Sequence, residues 1–390
     1  MSHKIKRKDK DTINVRFKIL SAISIIIIVS GHCYHGGIEL CYNWFPPYSF
    51  NIALPVFISG YFYNKKHQEN ICAYIWKRTK RLLIPAYLWN IFYGLLILFL
   101  GLFGFTIGQK VSWYNMFIMP FVDGEAFQYN LGSWFVYPLF VVCVVNVLFR
   151  RLLKLIRCDN EFFILAVYLA VGMFGINIAI TNSTGITGLL RLAVRVMFFL
   201  PCYGFGQFYR GVLEKHDTLG NIPYFAIIFA VQLVLLNLYE KPEYTPSSCS
   251  GFENGVVVPY ISAITAIAFW LRVSKLLVPI LKDSKVLYLI ADNTYSIMIN
   301  HLAGFMSLKF VFFAIQQLSQ NTLFSDFNAV QFKSTVWYYY LPNGLKQWAF
   351  VYLVWGIFIP ILISLGLNKL KLPFSKLYEK LPKLSTFCGR

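Results

Sequence analysis

The sequence predicts an all-α polytopic integral membrane protein with about ten transmembrane helices, and three observations predict it. The 390 residues are 57% hydrophobic and only 14% charged, with a mean hydropathy of +0.56, whereas a soluble globular chain carries roughly a quarter charged residues. Apolar runs of about 18 or more residues recur along the whole length, each long enough to cross a ~30 Å hydrocarbon core. Strand-like alternation is absent, and a backbone in lipid must satisfy its own hydrogen bonds, so the spans are helices.

The spans fall at 15–35, 47–63, 82–106, 131–149, 161–180, 188–209, 222–239, 255–276, 288–314 and 345–367. A basic tail (Lys4, Lys6, Arg7, Lys8, Lys10) precedes an apolar run that starts at Ile19 and has no small-residue cleavage site. It therefore reads as an uncleaved first span. Counted from a cytoplasmic N-terminus, Lys and Arg gather in the inner connections: Lys65 and Lys66, Lys77 to Arg81, Arg150 to Arg157, Arg210 and Lys215, Arg272 to Lys285, and the tail after Lys369. The outer connections 36–46, 107–130, 181–187, 240–254 and 315–344 are poor in both. This alternation sets the orientation and places both termini in the cytoplasm of a bacterial-type inner (plasma) membrane. Span two is short and holds Pro55, so it reads as broken or re-entrant. The outer segments 109–130 and 315–344 are long and aromatic, with Trp113, Tyr114, Phe117 and Phe121 in one and Trp337 to Tyr340 in the other. Such segments lie on the interface or cap a cavity. No repeat or linker interrupts the chain, which reads as one transmembrane domain, 15–368, between basic tails 1–14 and 369–390.

A formal charge of +19 raises the question of nucleic acid. The cations sit in short clusters between apolar runs, with no basic stripe interleaved with stacking aromatics, so nucleic acid is not an expected partner. The eight Cys (33, 41, 72, 143, 158, 202, 249, 388) are scattered, with no CxxC pair and no metal-ligand spacing. They read as small apolar fillers, with at most one bridge on the outer face, and no metal is expected.

Ionisable groups inside spans are expensive, so each deserves a functional hypothesis. His32 follows the run Ile25-Ile26-Ile27-Ile28-Val29-Ser30-Gly31, about 21 Å up the helix from Lys18. Helical spacing stacks it with Ile28, Ile25 and Ser21 and puts Lys18 close to that face. An imidazole there suits proton abstraction from a hydroxyl near neutral pH; the alternative is an interfacial His with a structural hydrogen bond. His35 shares the face, but two His without a carboxylate or Cys make a poor metal site. The depth of His301 depends on where its helix starts. With Asp292 or Asn293 as N-cap it lies only about two turns in, whereas a start at Lys285 puts it near the outer side. Structural and catalytic roles stay open for it. Arg191 and Arg195, one turn apart on span six, either snorkel to headgroups or form a paired cation site for a phosphate. Arg78 and Arg81, with Pro85 after them, are topology charges that are also well placed for the phosphates of a cytoplasmic nucleotide-like donor.

Taken in order, these pieces resemble the membrane-bound acyltransferase-3 family, which O-acylates cell-surface sugars. The resemblance rests on the first span ending Val29-Ser30-Gly31-His32, on Leu54-Pro55-Val56-Phe57 running to Ser59-Gly60-Tyr61, and on the basic segment Lys77 to Arg81 leading to Ile84-Pro85-Ala86-Tyr87. Gly132-Ser133-Trp134-Phe135 and the stretch Tyr295 to His301 complete it, so it covers about residues 14–370. It implies acyl-CoA, usually acetyl-CoA, as donor substrate with no permanently bound cofactor, and a glycan or lipid-linked sugar as acceptor. It carries the catalytic His onto His32 and supporting roles onto Arg78, Arg81, Ser59, Trp134 and His301. The sequence departs from the pattern at Ser21, where many members have Arg eleven residues before the catalytic His, and at Met298, where the family has Tyr. Lys18 is the cation placed to substitute for that Arg.

The mechanism implied is docking of acyl-CoA at the basic rim near Arg78 and Arg81, with His32 as general base on the sugar hydroxyl or as transient acyl carrier. Trp134 and the outer aromatics are the surfaces for a sugar ring; Ser59 and backbone amides near Pro55 are the candidates for holding the oxyanion. The rival class is a transporter or flippase of a lipid-linked sugar or small anion, which a broken span two and the Arg191–Arg195 pair would suit, but no inverted repeat is detectable. A non-catalytic partner of a glycan-assembly complex is the third reading. The other large membrane O-acyltransferase class, with its buried His and distant Asn, fits a His-ending first span poorly.

Overall fold

The computed structural model describes residues 2–33, 44–124, 127–182, 185–239 and 242–369, with side chains from residue 15 onward; His35, Cys41 and the tail after 369 lie outside them. Apart from an isolated β-bridge between Thr245 and Ser250 and short helical turns at Lys65–Gln68, Tyr114–Ile118, Met119–Val122 and Pro342–Gly344, the described chain is built of thirteen helices. In chain order these are α1 (Ser2–Gly31), α2 (Pro47–Phe50), α3 (Ala53–Tyr61), α4 (Ile71–Gly101), α5 (Gln128–Leu155), α6 (Glu161–Thr181), α7 (Gly188–His216), α8 (Asn221–Leu238), α9 (Val258–Leu281), α10 (Lys285–Asp292), α11 (Thr294–Leu318), α12 (Ala329–Ser334) and α13 (Trp348–Lys369).

Among the described residues eight helices are long and apolar enough to cross a membrane: α4 to α9, α11 and α13. The chain is thus an all-α multi-pass membrane protein with eight candidate spans, which corrects the expected ten. Of the two that drop out, span one runs past residue 33 into positions outside the described residues, and span two is interrupted. In α1 the apolar stretch covers only residues 19–31, about 20 Å of helix, short of a hydrocarbon core. Its side chains Phe17, Ile19, Leu20, Ile25, Ile28 and Val29 are buried in protein. Span two is interrupted at Asn51 and Ile52, between α2 and α3. The break is not at Pro55, which sits in the first turn of α3, where a missing N–H costs nothing.

The chain divides into two compact units. The described residues of 2–27, 44–75 and 138–292 form the first. Here α3 and α7 cross with their backbones in contact. A Cβ at Gly60 would overlap the Tyr203 carbonyl, and one at Gly206 the Phe57 carbonyl; small residues permit this approach, which is how helices associate without a hydrophobic drive between them. The unit buries three of its arginines against carboxylates. Arg150, 1% exposed, donates to Asp159 Oδ1 (3.0 Å), to Glu161 and to Gln207 Oε1. Gln207 in turn donates to Asn146 Oδ1 at 2.9 Å, which also accepts from the Tyr168 hydroxyl. Arg16 pairs with Glu214, which also accepts from the Tyr61 hydroxyl at 2.8 Å. Arg272 pairs with Asp217 and lies 3.8 Å from the Tyr224 ring centroid. Burying a charge in an apolar interior is costly, and a carboxylate partner offsets that cost.

The described residues of 28–33, 76–137 and 293–369 form the second unit. It holds the end of α1, most of α4, the opening of α5, and α11, α12 and α13. Within α4 the turn Thr79–Leu83 is π-helical. Pro85 has no N–H to give the Arg81 carbonyl, and the helix widens there. The Tyr295 hydroxyl, in the first turn of α11, donates to the Leu82 carbonyl at 2.8 Å and fastens α11 to that widened turn.

Candidate functional site

The second unit brings two of the expected residues into direct contact. α1 ends at Gly31, and a tightened last turn, His32 N–H to the Val29 carbonyl at 3.0 Å, sets His32 just beyond it. α10 stops at Asp292, Asn293 adopts φ −109°, ψ 15°, and α11 starts at Thr294. His301 is therefore two turns into α11, the first of the two depths left open above. His32 Nδ1 lies 3.0 Å from His301 Nε2, with ring planes 15° apart and centroids 5.0 Å apart. The rings lie edge to edge and nearly coplanar, as an N–H···N bond requires.

The remaining contacts fix the tautomers. His301 Nδ1 faces the Ile297 carbonyl at 3.1 Å and the Met298 carbonyl at 2.9 Å. Both are acceptors only, so in the neutral ring Nδ1 carries the proton and Nε2 offers a lone pair. His32 Nδ1 must then donate, which leaves His32 Nε2 bare. A basic nitrogen oriented by a partner is the arrangement that general-base chemistry uses.

Around the pair the sequence folds tightly. A Cβ at Gly132 would overlap the Met298 carbonyl and approach His301 Cε1 to 3.1 Å, so the glycine of the Gly-Ser-Trp motif lets the opening of α5 lie against the carbonyl that holds His301. Asn300, next to His301, accepts from the Tyr93 hydroxyl at 2.7 Å. His301 and Phe305, one turn apart on α11, make an edge contact at 5.9 Å, and Phe305 meets Tyr339 at 6.0 Å. The Tyr339 hydroxyl closes the circuit by donating to the His32 carbonyl. The loop beyond is fastened by the Tyr340 hydroxyl, which donates to Asp326 Oδ1 at 2.6 Å. Burial, then the Asp326 carboxylate, raises that phenol above its ordinary value and keeps it protonated.

The other expected residues fall as follows. Arg78, half-buried, precedes the widened turn of α4 and Arg81, exposed, lies on it, both in the second unit. Since Tyr295 holds that turn, the turn is tied to α11 six residues before His301, about 9 Å of helix rise. Trp134 is 7% exposed, so its ring is packed within the protein. Lys18, Ser59, Arg191 and Arg195 belong to the first unit. Lys18, half-buried, forms an ion pair with the exposed Asp292. Ser59 sits on α3 beside Gly60. Arg191 donates to the Ile186 carbonyl at 2.6 Å, and Arg195, 1% exposed, to the Ser247 carbonyl at 2.9 Å. Both guanidiniums thus hold loop backbone. Among the described residues no cluster of His, Cys, Asp or Glu could hold a metal ion.

Sequence reasoning held Tyr339 only as part of the aromatic stretch Trp337 to Tyr340 and Asn300 only as part of the stretch Tyr295 to His301, and it missed Tyr93 and Lys309. For Lys309 a signal existed: a lysine set among Phe310, Val311, Phe312 and Phe313 inside an apolar span marks a function by default. It also missed a cavity of about 260 Å³ in the first unit, lined by Tyr61, Tyr63, Lys65, Arg150, Glu161 and Arg210 among others. Lys65 lies 2.9 Å from Glu161, which with Asp159 matches the cations there.

A family model described as an acyltransferase domain matches residues 14–369, nearly the whole chain and every helix that carries the features above. No curated protein and no solved structure gives a match.

Proposed function

The chain belongs to the acyltransferase-3 family, and from that premise we propose that it moves an acetyl (acyl) group from acyl-CoA to a hydroxyl of a cell-surface polysaccharide or its lipid-linked precursor. The observation that carries the reading is the His32–His301 pair, which leaves His32 Nε2 as an oriented, unprotonated base. In the step proposed, the sugar O–H gives its proton to His32 Nε2 as its oxygen attacks the thioester carbonyl. The new O–C bond forms, the C–S bond breaks, and the departing CoA thiolate takes the proton from His32. The imidazolium that exists in between keeps its Nδ1–H on His301.

Arg78 and Arg81 are assigned to the phosphates of acyl-CoA. Support comes from the Tyr295 bond, which ties their turn to the helix of His301. Charge placement supports a cytoplasmic N-terminus and entry of the donor from the cytoplasmic face of a bacterial-type inner membrane. The test is His32→Ala in purified protein, with folding checked by size exclusion. Acyl-CoA consumption and glycan acylation are both expected to vanish; acylation at the wild-type level would overturn the assignment.

A further inference from the structure

We propose that Trp337 forms one wall of the acceptor-sugar subsite beside His32, and that the buried Lys309 is the positioning residue that holds it there. The proposal rests on the acyltransfer reading above and adds to it the surface that meets the sugar.

Four aromatic residues follow one another at 337–340, and three are committed to structure. The Tyr338 hydroxyl accepts from the Asn328 N–H at 2.8 Å, the Tyr339 hydroxyl reaches the His32 carbonyl, and Tyr340, buried, bonds Asp326. Trp337 differs. The residue is 40% exposed, its ring centroid lies 6.1 Å from that of His32, and its plane is tilted 47° to the imidazole. No described residue accepts its indole N–H, so the ring offers an apolar face and one hydrogen-bond donor next to the base. That combination suits a pyranose, which presents C–H groups on a face and hydroxyls at its rim.

Lys309 supplies the second observation. It is 0% exposed, in an apolar helix, and its Nζ donates to the Val336 carbonyl at 2.7 Å and the Tyr338 carbonyl at 3.0 Å, the residues on either side of Trp337. Its ammonium also lies 5.3 Å from the Tyr339 ring. Burying an ammonium is costly, and here two of its three donors fix the backbone on both flanks of one exposed ring. Lys309 is two turns beyond His301 on the same face of α11, so one helix orients the base from one turn and the wall from another.

The experiment uses native membranes from cells making the full chain, which contain the endogenous acceptor, supplied with acetyl-labelled acetyl-CoA. Label transferred to glycan and label released as free acetate are measured in parallel. Trp337→Ala is expected to cut transfer about 10- to 30-fold, as loss of an anchoring Trp does, while release as acetate does not fall. Trp337→Phe is expected to recover most of the transfer. Lys309→Met should shift the same partition, and the double variant should be no worse than Trp337→Ala alone, because Lys309 acts through Trp337. Transfer by Trp337→Ala at the wild-type rate, or equal losses in transfer and release, would overturn the subsite. His32→Ala in the same membranes separates the two readings: persistence of transfer there removes the acyltransfer mechanism itself.

Discussion

Replacing His301 by Leu tests whether the histidine pair works as a unit. The substitution removes the acceptor for His32 Nδ1–H and leaves an apolar side chain at a site with 0% exposure. In the ground state the loss is an ordinary hydrogen bond; once His32 has taken the sugar proton, it is a charge-assisted one, about 1.5–3 kcal/mol. An ordinary bond is worth about 1 kcal/mol, so a difference of about 0.5–2 kcal/mol falls on the transition state and kcat is expected to drop about 2- to 30-fold, with the KM for acyl-CoA unchanged because Arg78 and Arg81 are untouched. His301→Gln, whose amide oxygen can accept the same proton, should regain part of the loss. The assay is CoA release from acyl-CoA by purified protein in lipid nanodiscs, with thermal unfolding monitored in parallel. His32→Ala with His301→Leu should be no slower than His32→Ala alone, since residues acting as one unit are not additive. A single variant at the wild-type rate, or a double variant slower than His32→Ala by the full His301→Leu factor, would refute the reasoning.

Gly132→Ala pushes a methyl group into the Met298 carbonyl that holds His301; a roughly tenfold fall in kcat with a retained fold is expected, read by the same assay. Arg150→Met strands Glu161 and Asp159 with Lys65 as their remaining cation, so stability should fall by about 3–5 kcal/mol. Thermal unfolding in detergent should show this, with partial recovery in Arg150→Met combined with Glu161→Gln. Arg78→Gln with Arg81→Gln should raise the KM for acyl-CoA about tenfold or more with little change in kcat, as loss of charge-assisted phosphate contacts would; titration of acyl-CoA measures it.

The sequence reported well on what faces lipid and poorly on what the protein encloses. Hydropathy located α4 to α9, α11 and α13 because a ~30 Å apolar requirement leaves a long, continuous mark. The same measure counted α1 as a span, although its uninterrupted apolar stretch, residues 19–31, is only about 20 Å of helix. Loop cations read as topology signals, yet Arg150 and Arg272 are buried and paired; the pairing is set by tertiary contacts that local sequence does not encode. At the site, residue types and helical spacing singled out His32 and His301 separately. Their 3.0 Å contact spans 269 positions in the chain and has no local signature. Gly132 could be quoted as part of a motif, but its purpose is a close approach visible only once the Met298 carbonyl is in place.

A neutral histidine is also the partner that a buried base can have at least cost. Arg150 and Arg16 survive burial because carboxylates neutralise them, and a carboxylate in place of His301 would itself need a cation or a proton. His301 avoids this: two backbone carbonyls fix its tautomer with no net charge. The same neutrality limits what it can do, since an imidazole stabilises an adjacent imidazolium less than a carboxylate does. Under the proposed mechanism the charge on His32 must therefore be short-lived, discharged to the CoA thiolate as the C–S bond breaks. That requirement favours concerted proton return over a lingering acyl-histidine, and it demands that the sugar hydroxyl be seated before the proton moves. A subsite built against His32 by the loop that Tyr339 ties to the His32 carbonyl meets that demand, because base and acceptor wall then keep one geometry.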